Sequence, residues 1–281
     1  MTIFVTDVYT LELDLTPVRW LAEADPNHRA WQHVWSALPG HDRDPALVAL
    51  AVNWLDAVDP NHRSWQYVWS ALPGHDLDPA LVALAVRWLV AVDPNHRSWQ
   101  YVWSALPGHD RDPELVALAT RWLHEVKPGH SSWQYVWSAL PECERDPGLV
   151  TLAERWLATV DPEHRSWQFV WSALPEHDTK PELVALATAW LDGVDCGHRS
   201  WAYVWEQLPG HGSAPELIAT AERWLAEVGL GHRSWPHVWL RLPPGSQLAT
   251  AALAGSWLRV NEATRAVAGR VATALRELSS E

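Results

Sequence analysis

The sequence predicts an all-α protein: an α-solenoid of seven helix-hairpin repeats of 34 residues each, between an N-terminal and a C-terminal cap. The segment DPNHRSWQYVWSALPGHD at residues 59–76 recurs unchanged at residues 93–110, and close copies flank both. Three series of tryptophans, which start at Trp20, Trp31 and Trp35, each recur every 34 residues and together hold 21 of the 22 tryptophans. Self-similarity with a period of about 20–50 residues is typical of solenoids and other repeat arrays, so the period predicts the fold class before any local motif does.

The first element is an N-terminal segment and half-repeat cap, residues 1–26. Thr16 and Pro17 open a shortened helix that carries Trp20 and Leu21, because proline is favoured at the first helical position. This half repeat gives the first full repeat an apolar surface to pack on. We expect residues 1–15 to form an extended segment.

Each of the seven repeats, which span residues 27–264, begins with a short helix. In the second copy, Ser64 is a good N-cap residue, and Pro73 with Gly74 ends the helix. Apolar residues between them recur at i, i+3, i+4 and i+7, the spacing of one helical face. These residues are Trp65, Val68, Trp69 and Leu72.

A second, longer helix completes each repeat. Asp78 is a good N-cap, Pro79 takes the first helical position, and the helix ends before Asp93. No period of two is present, so the pattern does not fit a strand. The apolar face consists of Leu81, Leu84, Ala85, Trp88, Leu89 and Val92.

One hairpin of this size cannot bury two apolar faces alone, so neighbouring repeats must stack and share their tryptophans. Because tryptophan is large for such thin layers, we expect some indole edges at the surface. The predicted core consists of Trp31, Trp35, Trp54, Trp65, Trp69, Trp88, Trp99, Trp103, Trp122, Trp133, Trp137, Trp156, Trp167, Trp171, Trp190, Trp201, Trp205 and Trp224.

The last element is a C-terminal capping helix, residues 265–281. Val267, Val271, Leu275 and Leu278 share one stripe, while charged residues lie off it. A terminal element with a polar outer face keeps an array soluble and stops it stacking end to end.

The junction AVDPNHRSWQYV resembles that of a tetratricopeptide repeat, in which a helix ends in Asp-Pro-Asn and the next opens with tryptophan. Trp69 and Trp88 stand where that family prefers small residues, and Pro73 shortens the first helix, so the chain resembles a variant of the family. It is also similar to the arrays that follow STAND-type signalling NTPases and related bacterial defence proteins. The NTPase is absent, since neither GxxxxGKS nor GxxxxGKT occurs. The resemblance implies a right-handed solenoid whose first helices line a concave groove.

The first helices also carry residues off the apolar stripe that recur from repeat to repeat. The resemblance places them in the groove as ligand-binding residues, and tyrosine suits binding because its rigid ring loses little rotamer entropy. The alternative is that the same side chains pack between repeats, and the sequence leaves both open. The positions are Gln66, Tyr67, Gln100, Tyr101, Gln134, Tyr135, Gln168, Phe169 and Tyr203.

Histidines recur in two series, which start at His28 and His41. Zinc requires three or four converging ligands, whereas equivalent residues of stacked repeats lie about 10 Å apart, one helix diameter. We therefore predict loop packing or capping, with no metal and no cofactor. Pairs such as His75-Asp76 lack the asymmetric pocket and nucleophile of a catalytic pair, and Ser64 is expected to cap a helix, so we predict no enzyme activity.

Composition limits the partners. The net charge of −13 argues against nucleic acid, which requires a dense basic surface, and favours a protein or peptide partner that is itself basic. Cys143 and Cys196 occupy unrelated positions, which fits the reducing cytoplasm rather than a disulfide framework. No sequence window approaches a membrane span, and the first residues do not resemble a signal peptide.

Two functions are compatible with these observations. The first is a non-catalytic protein- or peptide-binding module, the ligand-sensing array of a larger signalling or defence protein. The alternative is a structural spacer or self-assembling scaffold without a dedicated ligand. A chemically uniform exposed groove would favour the first, and a large apolar end or flank would favour the second.

Overall fold

The computed structural model describes residues 17–141, 143, 145–260 and 265–278, and within them the protein is all-α, with seventeen helices and no strand. Paired helices repeat about every 34 residues, which is the arrangement of an α-solenoid of seven repeats. The expected extended segment at residues 1–15 lies outside the described residues. By its internal contacts the chain divides into two compact units, Met1–Pro141 and Glu142–Glu281.

The first unit contains helices α1 to α8. They are α1 (Pro17–Glu23), α2 (Trp31–Ser36), α3 (Pro45–Ala57), α4 (Trp65–Ala71), α5 (Pro79–Ala91), α6 (Trp99–Ala105), α7 (Pro113–Glu125) and α8 (Trp133–Ala139). The second unit contains α9 (Pro147–Thr159), α10 (Trp167–Ala173), α11 (Pro181–Gly193), α12 (Trp201–Gln207), α13 (Pro215–Glu227), α14 (Trp235–Arg241), α15 (Pro244–Ala249), α16 (Ala251–Val260) and α17 (Arg265–Leu278).

The short helices begin and end where the sequence predicts, but their start lacks the predicted side-chain cap. Leu72 is extended, with φ −73° and ψ 139°, because the following proline disfavours the helical region. The predicted N-cap Ser64 has helical dihedral angles, φ −91° and ψ −5°, and its side chain makes no capping hydrogen bond. Because a capping side chain requires an extended backbone at that residue, this prediction was wrong for Ser64. The Nδ1 atom of His62 accepts the backbone N–H of Ser64 instead, at 3.3 Å.

The long helices begin as predicted. Asp78 is extended, and its carboxylate accepts the backbone N–H of Ala80 at 2.8 Å, with Pro79 at the first helical position. Asp44 and Asp112 cap their helices in the same way, and the Asp146 carboxylate accepts the backbone N–H of Leu149 instead, at 2.9 Å. Lys180 and Ala214 occupy the equivalent position in later repeats, and neither side chain makes a capping hydrogen bond.

The tryptophans form the core of every repeat. The eighteen named in the sequence analysis are each at most 4% exposed, so the expectation of exposed indole edges was wrong for them. The reason lies in how the indoles pair. Trp65 stacks on Trp88 with ring centroids 4.6 Å apart, and on Trp69 at 6.1 Å. For sixteen of these eighteen tryptophans the indole N–H donates to a backbone carbonyl, which offsets the cost of burying that polar group.

Those carbonyls join successive repeats as well as the helices within one repeat. Trp65 donates to the carbonyl of Leu55 at 3.1 Å, in the last turn of the preceding long helix, where carbonyls lack a helical partner. Trp69 donates to the carbonyl of Leu81 within its own repeat, at 3.2 Å. A side-chain contact reinforces the repeat junction, because the Asn61 amide oxygen accepts the backbone N–H of Asp93 at 2.9 Å.

Different elements pack at the two ends of the described residues. In the first unit, α1 packs against α2 and α3. In the second unit, α17 packs against α14, α15 and α16, and Val271 on its apolar stripe is fully buried. Trp257, which falls outside the 34-residue register, is still buried and stacks on Trp235 at 6.0 Å. None of the described helices has the length and apolar character needed to cross a membrane.

Candidate functional site

The recurring aromatic residues of the short helices point into solvent. Tyr67 follows Trp65 by two residues, about 200° around the helix, and therefore lies opposite the buried stripe. We call this set the aromatic row. It consists of Tyr67, Tyr101, Tyr135, Phe169 and Tyr203, which are 51, 57, 52, 47 and 41% exposed.

Large apolar side chains are exposed at other positions too, but the equivalent positions of the neighbouring repeats do not expose one. Val18, Leu77, Val90, Leu248 and Val260 are exposed singly. Among the described residues, the aromatic row is the only repeat position that exposes a large apolar side chain in successive repeats. The row therefore differs from the scattered apolar exposure that any protein surface shows.

The glutamines beside the row are less accessible. Gln66, Gln100, Gln134 and Gln168 are half-buried, and Ala202 replaces glutamine in the next repeat, where it is buried. On each short helix the glutamine position therefore lies at the border between the core and the exposed face, and the aromatic residue of the row lies on the exposed face of that helix.

In the second unit the row forms part of an open pocket of about 460 Å³. The short helices α10, α12 and α14 contribute Phe169, Tyr203 and His237 at equivalent repeat positions, and Gln168 lies beside them. The loops that precede α12 and α14 contribute Arg199 and Arg233. The pocket thus places aromatic, amide and cationic groups from three successive repeats on one surface.

The pocket carries more positive than negative charge. Arg199 and Arg233 are exposed, and within the described part of the chain neither forms an ion pair. Glu206 is the one carboxylate in the described pocket lining, and its Oε1 lies 3.2 Å from Nε of Arg241. Because Arg241 compensates Glu206, the two loop arginines leave the pocket cationic.

The loop arginines were not among the site residues predicted from the sequence. They belong to a series in which arginine follows the first histidine in six of seven repeats, with Ser131 as the exception. This recurrence is the feature of the sequence from which the loop arginines could have been predicted. The series consists of Arg29, Arg63, Arg97, Arg165, Arg199 and Arg233, and all six are exposed.

The first histidine series holds the loops between repeats. The Nδ1 atom of His96 accepts the backbone N–H of Ser98 at 3.3 Å, and the ring also hydrogen-bonds the backbone of Asn61 in the preceding repeat. Its imidazole packs edge-on against Trp88, with ring centroids 5.6 Å apart. Burial is the main reason that the pKa of His96 is lowered below 6.5, and nearby Arg97 lowers it further.

The second histidine series packs on the other tryptophans. His75 lies edge-on to Trp69 at 4.7 Å, and its Nδ1 is 3.2 Å from the carbonyl of Leu72. That atom is engaged by a backbone carbonyl, and the ring is held against the core. Within the described residues, no group of three or more histidine, cysteine, aspartate or glutamate side chains is arranged to hold a metal ion. Both series therefore serve as structural elements of the loops.

Comparison of the chain with protein-family models, with curated proteins and with solved structures found no match. The function is therefore inferred from the exposed face of the short helices and from the pocket in the second unit.

Proposed function

We propose that the chain is a non-catalytic repeat module that binds a protein or peptide through the aromatic row and the residues beside it. The observation that carries this proposal is the contrast between two sets of aromatic residues. The tryptophans are almost completely buried, whereas the row keeps an aromatic side chain 41–57% exposed in five successive repeats. Packing does not require that exposure, whereas contact with a partner does.

The chemistry of the row suits recognition. Tyrosine offers a large rigid surface at low entropic cost, and its hydroxyl group adds directional hydrogen bonding. Repeat arrays commonly present one residue position from each repeat as an extended binding surface. The pocket of about 460 Å³ in the second unit falls within the usual range of ligand sites, about 300–1,000 Å³.

The biological setting that we propose follows the resemblance of the junction AVDPNHRSWQYV to tetratricopeptide-like arrays. In that setting the chain is the ligand-sensing part of a larger, cytoplasmic, STAND-type signalling or defence protein of bacteria. Binding of a segment to the row would then report the presence of a foreign or host protein. The contrasting role is a spacer or self-assembling scaffold that has no dedicated ligand.

The test is a double substitution in the first unit, Tyr101→Ala with Tyr135→Ala. The chain is immobilised and used to select from a displayed library of short random peptides, and the selected peptides are then bound to each variant. We expect enriched peptides that lose affinity for the variant, while its melting temperature stays near that of the wild type, because both rings are more than half exposed.

A matched control removes two exposed apolar side chains of the same unit that lie off the row. Leu77→Ala with Val90→Ala should keep the selected peptides bound, since these residues are 76% and 57% exposed and belong to no recurring position. A library that yields no enriched peptide would favour the scaffold role. A melting temperature that collapses in the tyrosine variant would instead show that the row is structural packing.

A further inference from the structure

The pocket in the second unit combines two aromatic rings with two arginines that form no ion pair among the residues the structure describes. This chemistry is more specific than the row alone provides. Arg199 and Arg233 lie in equivalent loops of adjacent repeats, and Phe169 and Tyr203 lie on short helices beside them. A guanidinium group presents several N–H donors in a planar fork that matches a carboxylate, and such charge-assisted bonds are stronger than neutral ones.

We propose that this pocket binds an acidic peptide segment. Carboxylates of the segment pair with Arg199 and Arg233, and an apolar side chain between them packs on Phe169 and Tyr203. This inference rests on the proposed function, because it names the class of segment that the same face accepts.

The geometry of the repeat limits the spacing of the acidic residues. Equivalent residues of stacked repeats are separated by one helix diameter, on the order of 10 Å. An extended peptide advances about 3.3 Å per residue, so two carboxylates about three residues apart reach both arginines. A segment with acidic residues at i and i+3 is therefore the best match.

The local charge of the pocket differs from the charge of the chain. The net charge of −13 predicts a basic partner for the chain as a whole. At physiological ionic strength, however, charges beyond a Debye length of about 8 Å are largely screened, so the groups within the pocket dominate. Arg241 compensates Glu206 there at 3.2 Å, which leaves the two loop arginines to determine the sign of the charge that is bound.

The small number of cations in the pocket argues against a nucleic acid as the occupant. Binding along a phosphate backbone requires several cations arranged on a basic surface, and affinity then depends on the release of many counterions. The pocket contributes two arginines, fewer cations than a phosphate backbone requires. A short acidic peptide needs only the two charge pairs that these arginines provide.

The experiment uses three fluorescein-labelled pools of degenerate peptides that are identical except at positions i and i+3. These positions carry glutamate in the acidic pool, glutamine in the neutral pool and lysine in the basic pool. Fluorescence anisotropy with the full chain should give the highest affinity for the acidic pool. The double variant Arg199→Gln with Arg233→Gln should bind that pool at least about tenfold more weakly, since one hydrogen bond to a charged group contributes about that factor.

The matched control removes the same charge from exposed arginines that do not line the pocket. Arg270→Gln with Arg276→Gln on α17 should retain the preference for the acidic pool, which separates pairing in the pocket from a change in net charge. In a second double variant, Phe169→Ala with Tyr203→Ala, the affinity for the acidic pool and the affinity for the neutral pool should both decrease.

Several results would overturn the inference. Equal binding of the acidic and neutral pools, lost in the Phe169 and Tyr203 variant, would refute the acidic preference and leave the proposed binding function intact. An acidic preference that survives in the Arg199 and Arg233 variant would place the recognition elsewhere. Failure of all three pools to bind would also refute the inference. A single-stranded oligothymidine tests a nucleic acid as the occupant, and tighter binding of this oligonucleotide than of the acidic pool would refute the inference as well.

Discussion

The indole N–H of Trp88 donates a 2.7 Å hydrogen bond to the carbonyl oxygen of Pro60, twenty-eight residues earlier in the chain. The bond joins the long helix of one repeat to the link that precedes the same repeat, and equivalent tryptophans repeat it. In a later repeat Trp224 donates to the carbonyl of Cys196, which stands where the five preceding copies of this position have proline. Because the acceptor is a backbone atom, the residue type there is free to vary, whereas the tryptophan donor is not.

Stability of one repeat should depend strongly on a single buried indole. Trp103 is 1% exposed and donates to the carbonyl of Leu115 at 3.2 Å. Trp103→Ala should lower the free energy of unfolding by about 3–5 kcal/mol, the usual range for truncating a large buried aromatic. Chemical denaturation measures this loss, and hydrogen exchange should locate it in α6 and α7, because repeats depend on their neighbours.

The conservative variant separates the two contributions of the indole. Trp103→Phe keeps most of the apolar surface and removes the N–H donor, so its loss should be smaller than that of the alanine variant. If Trp103→Ala unfolded at the wild-type denaturant concentration, the indole would not be a core residue, and a role in ligand contact would gain support.

The regular part of the fold could be predicted from the sequence, for a physical reason. Trp65, Val68, Trp69 and Leu72 mark one helical face, and Asp78-Pro79 begins the next helix, so local chemistry alone determines both helices. The capping of the short helix could not be predicted in the same way. Ser64 has the composition of an N-cap, but the preceding loop places it in a helical conformation, and His62 accepts its N–H instead.

The candidate site was predictable only in part. The aromatic row could be found because its position recurs, and helix periodicity indicates that it lies off the buried stripe. Its exposure could not be separated from packing between repeats without coordinates. The pocket was missed because Arg199 and Arg233 come from loops of different repeats, and only the tertiary structure of the second unit places them in one pocket with Phe169.

Stability should fall as the solution becomes acidic. Burial lowers the pKa of five loop histidines below 6.5, so the folded state favours their neutral form: His62, His96, His130, His198 and His232. A group with a depressed folded-state pKa contributes stability that is present above its unfolded pKa and is lost as the pH decreases. Protonation of His96 at Nδ1 would also remove the acceptor for the backbone N–H of Ser98.

Urea denaturation between about pH 8 and about pH 5 tests this expectation, because the ordinary histidine pKa of about 6.5 lies inside that window. The free energy of unfolding should be constant at the upper end and decrease below about pH 6.5. The His96→Gln variant should show a weaker pH dependence than the wild type. A profile that is flat across the window would show that the imidazoles have the same pKa in the folded and unfolded chains.

One long helix lacks the cap that its counterparts have, and restoring it should stabilise the second unit. Ala214 precedes α13 with φ −76° and ψ 121°, close to the φ −70° and ψ 118° of Asp78, whose carboxylate accepts a backbone N–H at 2.8 Å. Ala214→Asp therefore needs no change of backbone. Lys180 is a less suitable position, because its side chain forms an ion pair with Glu154 that the substitution would remove.

Ala214→Asp should raise the free energy of unfolding by about 1 kcal/mol, the typical contribution of an N-cap, with a smaller gain from placing negative charge at the start of α13. The neighbouring Glu216 does not oppose this, since Asp112 caps the Glu114 N–H in the equivalent position of another repeat, at 2.8 Å. Denaturation monitored by circular dichroism measures the gain.

Ala214→Leu is the control, because it adds side-chain volume without an acceptor and should not stabilise the chain. Equal stability of the aspartate and leucine variants would mean that the start of α13 is already satisfied by solvent, and that the aspartate caps of the other repeats contribute little to the array.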